Sequence, residues 1–338
     1  MSFTGQRYSR VGLPQILKEK RPKHMFLTST SDAAKAAFKR GFAGCLLAAL
    51  TIGAAGATEG SGIVYPVGAE TVLSGVAPGP GGTMFLQFDT SYLANKLADS
   101  HGVSVMPGFH LRVAAMAEKV VHNWGVHVLG GTLVSAFALP LVYEHVDGPF
   151  GKGNKTGLGN PELGFAYVAY ARGAWHWWYG LDTYTPGFGY HKNDLVNIGQ
   201  HNWATVPVGA ITYLPGNGRT EVSSRFQYIV NYTDPATNYH SGAEFTWEYA
   251  AMRNITKKLA VGANGYYYQQ ATDDFQSGIR VAGGHRGRDF AIGPQLRYHV
   301  GRCALIAKYS RDTLVENRPV GNSFWFQFGM PVGHRAEK

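Results

Sequence analysis

From residue 83 onward the chain alternates apolar and polar positions with period two, and no stretch carries the 3.6-residue spacing of an amphipathic helix. The stretch RDFAIGPQLRYHVGRCALIAKYSRD (288–312) is the clearest case: Phe290, Ile292, Pro294, Leu296 and Tyr298 share one parity, Asp289, Gln295, Arg297 and His299 the other. Twelve segments read as strands, at 83–93, 105–118, 122–139, 158–171, 173–185, 200–213, 218–232, 239–252, 256–271, 287–299, 302–312 and 321–331. Short connections (HNWG 122–125, ARGA 171–174, PGNG 215–218, NITK 254–257, HVGR 299–302) alternate with long polar ones at 144–159, 187–199, 233–238 and 273–287. Short turns on one rim and long loops on the other, with an even strand number, predict an all-β, transmembrane antiparallel up-and-down β-barrel of about 12 strands.

In such a barrel the apolar parity faces lipid and the polar parity a closed interior. Phe245, Trp247 and Tyr249 oppose Glu244, Thr246 and Glu248; Val222, Phe226, Tyr228 and Val230 oppose Glu221, Ser223, Arg225 and Gln227. The same rule sends Met84, Leu86 and Phe88 to lipid and Gln87 and Asp89 inward on the first strand, and Phe109, Leu111 and Val113 to lipid with His110 and Arg112 inward on the second. Phe324, Phe326, Phe328 and Met330 oppose Trp325 and Gln327 on the last. The expected pore-lining set is Asp89, Arg112, Glu221, Arg225, Gln227, Glu244, Glu248, Gln295 and Arg297, with mixed signs that can pair across a lumen. Trp124, Trp175, Trp203, Tyr213 and Trp325, near strand ends, are expected at the membrane interfaces.

Charge is distributed unevenly. Of a net +9, +7 falls in residues 1–57, so the remainder is nearly neutral and offers no broad basic surface for nucleic acid. Residues 35–57, KAAFKRGFAGCLLAALTIGAAGA, read as a basic n-region, an apolar stretch and a small-residue cleavage site at Ala55-Gly56-Ala57, the pattern of a secretory signal peptide. Translation from Met1 or from Met25 fits this leader equally. Cleavage after Ala57 leaves Cys303 as the only cysteine, which excludes an internal disulfide and a cysteine-based zinc site. The expected organisation is a leader (1–57), a periplasmic or lumenal segment (58–82), the barrel (83–331) and a short tail (332–338).

Little in the chain suggests catalysis. The adjacent pair His240-Ser241 would point to opposite faces of a strand, so no catalytic residues are assigned. His122, His127, His176, His191, His201 and His285 have no ligand spacing, and the loop acids Asp194, Asp234, Asp273 and Asp274 supply too few oxygens for calcium. No metal and no cofactor is expected. Phe188, Tyr190 and Phe275, in the long loops, are candidates for a first, low-affinity loop site for an aromatic solute.

Several segments resemble a known family. YPVGAETVLSGVAPGPGG, GLGNPELG, YTPGFGY, NIGQHNWATVPVGAITYLP, NYHSGAEFTWEYA, NGYYYQQATDDF, GRDFAIGPQLRYHVG and ENRPVGNSFWFQFG are similar to the outer-membrane family named for the meta-cleavage pathway of phenol degradation, across residues 62–331. The resemblance implies a β-barrel of the Gram-negative outer membrane that passes small hydrophobic or aromatic molecules inward, without catalytic residues. It departs from the usual assembly signal, since Pro319 takes a slot where a polar residue is expected and PVGHRAEK follows Met330. The function read from residues and resemblance together is passive, porin-like uptake of small hydrophobic or aromatic compounds. The alternative is a closed barrel with a structural or adhesive role. Expected partners are the solutes, outer-membrane lipid and lipopolysaccharide, and the barrel-assembly machinery, with no nucleic acid and the oligomeric state left open.

Overall fold

The computed structural model describes residues 62–333; the expected leader, residues 58–61 and most of the tail lie outside the described residues. Strands β1 (Thr83–Leu97), β2 (His110–Val128), β3 (Gly131–Gly148), β4 (Gly151–Leu158), β5 (Glu162–Arg172), β6 (Trp175–Tyr184), β7 (Ala204–Tyr213) and β8 (Thr220–Asn231) come first. They are followed by β9 (Tyr239–His240), β10 (Glu244–Asn254), β11 (Leu259–Gln270), β12 (Phe275–Gln276), β13 (Ile279–Arg280), β14 (Arg288–Val300), β15 (Cys303–Asp312) and β16 (Pro319–Val332). Every pairing is antiparallel, and β1 bonds to both β2 and β16, so the sheet closes into a barrel of 12 strands. Closure leaves no open edge in the wall, the condition for crossing a bilayer with strands. No helix among the described residues is long and apolar enough to span a membrane.

The turns sit on one rim, as the spacing predicts, with one exception. HNWG lies inside β2, where Gly125 takes a positive φ of 68° and the register with β3 shifts between Asn123 and His127. The glycine is absorbed as a bulge. The hairpin closes instead at Leu129-Gly130, both at positive φ, the combination a two-residue turn between twisted strands requires. Likewise the expected loop 144–159 is largely a hairpin: β4 pairs with the outer half of β3, from Leu141↔Leu158 to Gly148↔Gly151. Beyond it β5 takes over the inner half of β3, from Thr132↔Ala169 to Ala138↔Glu162. Asn160, at the joint, holds the opposite loop by donating to the carbonyls of Thr185 and Gln200, each at 2.8 Å.

From β5 onward the faces follow the parity rule. Ile292, Leu296 and Tyr298 are exposed on the lipid side of β14 while Asp289, Gln295 and Arg297 are buried inside. On β1 and β2 the faces are reversed. Tyr92 reaches the interior to donate to Asp312 at 2.7 Å, Phe88 packs on the internal core, and Leu86 stands in register with buried Gly329. Asp89 and Arg112 therefore point outward, on the parities that carry exposed Leu93 and Met116. The cause is the interior itself, which along this arc is mostly apolar, Lys119 and Asn123 being exceptions, because chain other than the wall fills it. Trp325 faces inward, as its parity gives, and not a membrane interface: it is 6% exposed, with the Lys308 ammonium 5.0 Å from its ring. Trp124, Trp175 and Trp203 are exposed, and Trp175 stacks on Tyr213 at 4.2 Å beside the 173–174 turn.

Candidate functional site: a plugged lumen

Residues 62–82 run inside the barrel before β1 begins, and their irregular backbone is bonded to the wall repeatedly between Gly68 and Gly82. Asn123 donates to Pro78 O at 2.8 Å, Trp178 Nε1 to Ser74 O at 2.6 Å, and Gly75 N to Thr212 Oγ1 at 2.9 Å. Leu73 N donates to Glu221 at 2.7 Å, and Thr71 Oγ1 to Gln295 at 3.0 Å. Higher up, Lys308 Nζ donates to the carbonyls of Gly68 and Ala69 and to Thr71 Oγ1, and Gln327 Nε2 donates to Ala69 O at 2.6 Å. Gly68 N and Tyr65 OH both donate to Glu248, the latter at 2.8 Å. A backbone segment without sheet or helix partners must find them elsewhere when buried, and here wall side chains supply them.

One guanidinium organises the centre. Arg225, fully buried, lies 3.7 Å from Glu70, 3.5 Å from Asp182 and 3.7 Å from Glu248, and stacks over the Tyr65 ring at 4.6 Å. Glu70 also accepts from Lys119 at 2.6 Å, and Lys119 bridges onward to Glu162 at the same distance. Thus the plug contributes its own carboxylate to a wall network that holds both signs, which is how buried charges avoid an uncompensated desolvation cost. Arg297 pairs with Glu221, and Gln227 accepts from Thr246 at 3.1 Å. Nearer the loop side Glu244 accepts from Asn231 at 2.9 Å, and Tyr266 OH joins Asp312 at 2.7 Å to Asp289 at 3.1 Å.

The mouth is covered by a second, apolar set. Ala94, Leu97, Phe109, Val146 and Val196 are buried together, with Tyr92, Met106, Leu111 and Phe150 packed against them. They come from β1, β2, the β3–β4 hairpin and the loops 98–109 and 185–203. Outside this lid, salt bridges tie the loops down. Hydrogen bonds from Arg280 and then Arg286 hold the Asp273 carboxyl below the usual aspartate range. A hydrogen bond from Lys155 does the same for Asp194.

Of the sequence-predicted residues, Glu221, Arg225, Gln227, Glu244, Glu248, Gln295 and Arg297 are brought together inside the barrel, while Asp89 and Arg112 are not. Phe188 is 70% exposed, Tyr190 stacks on His201 at 4.7 Å, and Phe275 pairs with His240 in the small β9–β12–β13 sheet. These three are dispersed over two loop regions. His240 has Thr233 Oγ1 at 3.4 Å, and among the described residues no three His, Cys, Asp or Glu are grouped to hold a metal ion. Sequence reasoning missed Lys119, Glu162, Asp182, Lys308 and the plug residues Tyr65 and Glu70. Lys308 shares the parity of Ser310 and Asp312 and was readable from alternation. Lys119 follows the apolar run Val113, Ala115, Ala117 on its own face, and no pattern marks it.

The sequence model described as putative MetA-pathway of phenol degradation matches residues 94–328. The chain belongs to this family. Among solved structures, it is similar to an outer membrane channel from Pseudomonas putida F1, with a TM-score of 0.68 at 15% identity, covering 80% of this chain and 100% of that one. A monoaromatic hydrocarbon channel, CymD, aligns at a TM-score of 0.40 and 10% identity over 82% and 96% of the two chains. A Pseudomonas aeruginosa FadL homologue aligns at 0.36 and 8% over 78% and 97%. No curated protein matches the sequence significantly. The first likeness establishes the fold as that of an outer-membrane β-barrel, and the family model establishes the kinship.

Proposed function

We propose that this chain is an outer-membrane channel for passive uptake of small apolar or aromatic solutes, closed at rest by residues 62–82 below and by the apolar lid above. The observation that carries the reading is the pairing of these two closures. A general porin leaves an aqueous channel, whereas here charged side chains are buried against a plug and the mouth is lined by Tyr92, Leu97, Phe109, Leu111, Val146 and Phe150. An apolar solute dissolves in such a lid at little cost, while a sugar must shed its hydration to enter it.

In this reading Phe188, Tyr190 and Phe275 form a first loop contact for the solute. Glu221, Arg225, Gln227, Glu244, Glu248, Gln295 and Arg297 set the width of the path once the plug yields. The leader takes the bounds 1–57 and the tail the residues after β16, which ends at Val332. Lipopolysaccharide at the loop rim and the barrel-assembly machinery are partners, and the chain performs no chemistry on its solute. The second reading, a closed structural barrel, is favoured by the many bonds between the plug and the wall.

Uptake of radiolabelled phenol, toluene and a neutral sugar into liposomes carrying the refolded mature protein separates them, with protein-free liposomes as the baseline. Aromatic entry above baseline with little sugar entry is expected; equal sugar entry makes the protein a general porin, and no increase for any solute selects the closed barrel.

A further inference from the structure

The reversal of faces on β1 and β2 places polar groups where lipid should be. In register, Gln87 stands beside Glu118, Asp89 beside Met116 and Ser91 beside Ala114, all on the outer face. On the other side of β1 these positions meet Phe328, Phe326 and Phe324. Glu118 is six residues from the exposed Trp124 on its own strand and four from Ala114, whose partner on β3 is the exposed Tyr143. At about 3.4 Å per residue and a tilt of about 40°, these aromatics lie about 15 Å to one side and 10 Å to the other, which centres Glu118 in an apolar band about 25 Å tall. On β8, β10 and β14 the outer face carries Phe226, Trp247 and Leu296, and its polar Ser224 is bonded to Trp247 Nε1. Carboxylates held in hydrocarbon are costly, and an intramembrane ionisable group points to a partner.

Within the chain the stripe is only half satisfied. Gln87 Nε2 donates to both oxygens of Asp89 at 3.1 Å, while Glu118 is exposed and has no hydrogen-bond or ion-pair partner among the described residues. We propose that this face is where two copies of the chain meet side by side, related by a two-fold axis along the membrane normal. Such an axis brings the left of a patch opposite the right of its twin. Gln87 and Glu118 are neighbours on one rung, so Gln87 of each copy faces Glu118 of the partner subunit. Across the seam the Gln87 amide then meets the Glu118 carboxyl at one depth, while the Ser91 hydroxyl lies two residues from Asp89 along the same stripe. This self-complementarity favours a second copy over a foreign partner, which would have to bring its own donors to this depth. Phe324, Phe326, Phe328, Met116 and Leu141 flank the stripe as the apolar rim.

The proposal rests on the barrel's orientation in the membrane and not on transport, and its test reads no flux. In a Cys303→Ser background, differently tagged Gln87→Cys and Glu118→Cys chains are co-expressed and oxidised in outer membranes. A disulfide-linked heterodimer is expected, and none from Leu296→Cys with Val261→Cys on β14 and β11, outside the stripe. Cross-linking no greater than that control overturns the proposal. Native mass spectrometry of the purified chain supplies the second measurement. Wild type is expected to be dimeric, and an Asp89→Leu/Glu118→Leu variant to lose at least tenfold in dimer fraction while keeping its β-barrel circular dichroism. A monomeric wild type, or a double-leucine variant that stays dimeric, refutes the interface.

Discussion

Replacing Lys308 with Met should loosen the plug without unfolding the barrel. The ammonium is the plug's most heavily used anchor, donating to Gly68 O, to Ala69 O at 2.8 Å and to Thr71 Oγ1 at 3.1 Å. Each charge-assisted bond contributes about 1.5–3 kcal/mol net, so three would sum to roughly 4.5–9 kcal/mol if they were additive. Two offsets reduce this. A buried lysine has already given up its hydration, at several kcal/mol, and Gln327 still holds Ala69 O at 2.6 Å. A net weakening of about 3 kcal/mol follows, which at about 1.4 kcal/mol per decade is on the order of 100-fold in the ratio of unseated to seated plug. Methionine keeps the side chain's length and its contact with the Trp325 ring, so the wall strands lose no packing of consequence.

Two readouts follow the same population. In planar bilayers the fraction of time spent in a large-conductance state should rise on the order of 100-fold over wild type. Hydrogen exchange should report lost protection for the amides of Gly68, Leu73 and Gly75, which are bonded to Glu248, Glu221 and Thr212, while β10 and β14 amides stay protected. Unchanged exchange in residues 66–76 together with unchanged conductance would refute the account of Lys308 as an anchor.

Gly75→Ala attacks the same seating from the plug side: a Cβ there would stand 2.4 Å from Thr212 N and 2.6 Å from His176 O, so the turn cannot dock and conductance should rise as in Lys308→Met. Arg225→Met should cost about 3–5 kcal/mol in urea unfolding, because it leaves Glu70, Asp182 and Glu248 without their shared counter-charge. Arg112→Ala, on the outer face, should leave single-channel current unchanged; an altered current would return Arg112 to the lumen. Acid should open the loop cluster late. Asp273 has a folded pKa below its ordinary 3.8, so the cluster's contribution is complete above that value and is lost as pH falls through the lower one. Proteolysis of loop 271–287 should therefore stay at its neutral rate at pH 5 and accelerate only below about 4, whereas Asp273→Asn should be cleaved fast at both.

The strand count, the closure and the inner face of β8, β10 and β14 were legible because on these strands lipid and lumen impose opposite chemistry on alternate residues. Glu221, Arg225, Glu244, Glu248, Gln295 and Arg297 follow from that alone. The rule failed on β1 and β2 for a reason parity cannot carry. Phe88 and Leu111 are apolar and face inward because plug and loops cover them, and Asp89 is charged yet faces outward. Gly125 misled in a simpler way, since a glycine at positive φ serves a bulge as well as a turn. Nothing in YPVGAETVLSGVAPGPGG marks Glu70 as a lumenal carboxylate, because an irregular segment has no period from which a facing can be read.

The plug also changes what the lumenal charges are for. In an open channel, Arg225 and Glu248 would be read as a selectivity filter acting on a passing solute. Here Glu248 accepts from Gly68 N and Tyr65 OH, Glu221 from Leu73 N, and Gln295 from Thr71 Oγ1. These wall groups serve donors and acceptors of residues 65–78 that a strandless segment cannot satisfy by itself. Substituting them should alter how often the barrel opens before it alters what passes. Single-channel records separate the two, since opening frequency reports seating and the current through an open channel reports width. If Gln295→Ala changes the current of each opening and leaves the frequency untouched, the lumenal polar groups act on the solute, and the match between wall and plug is incidental.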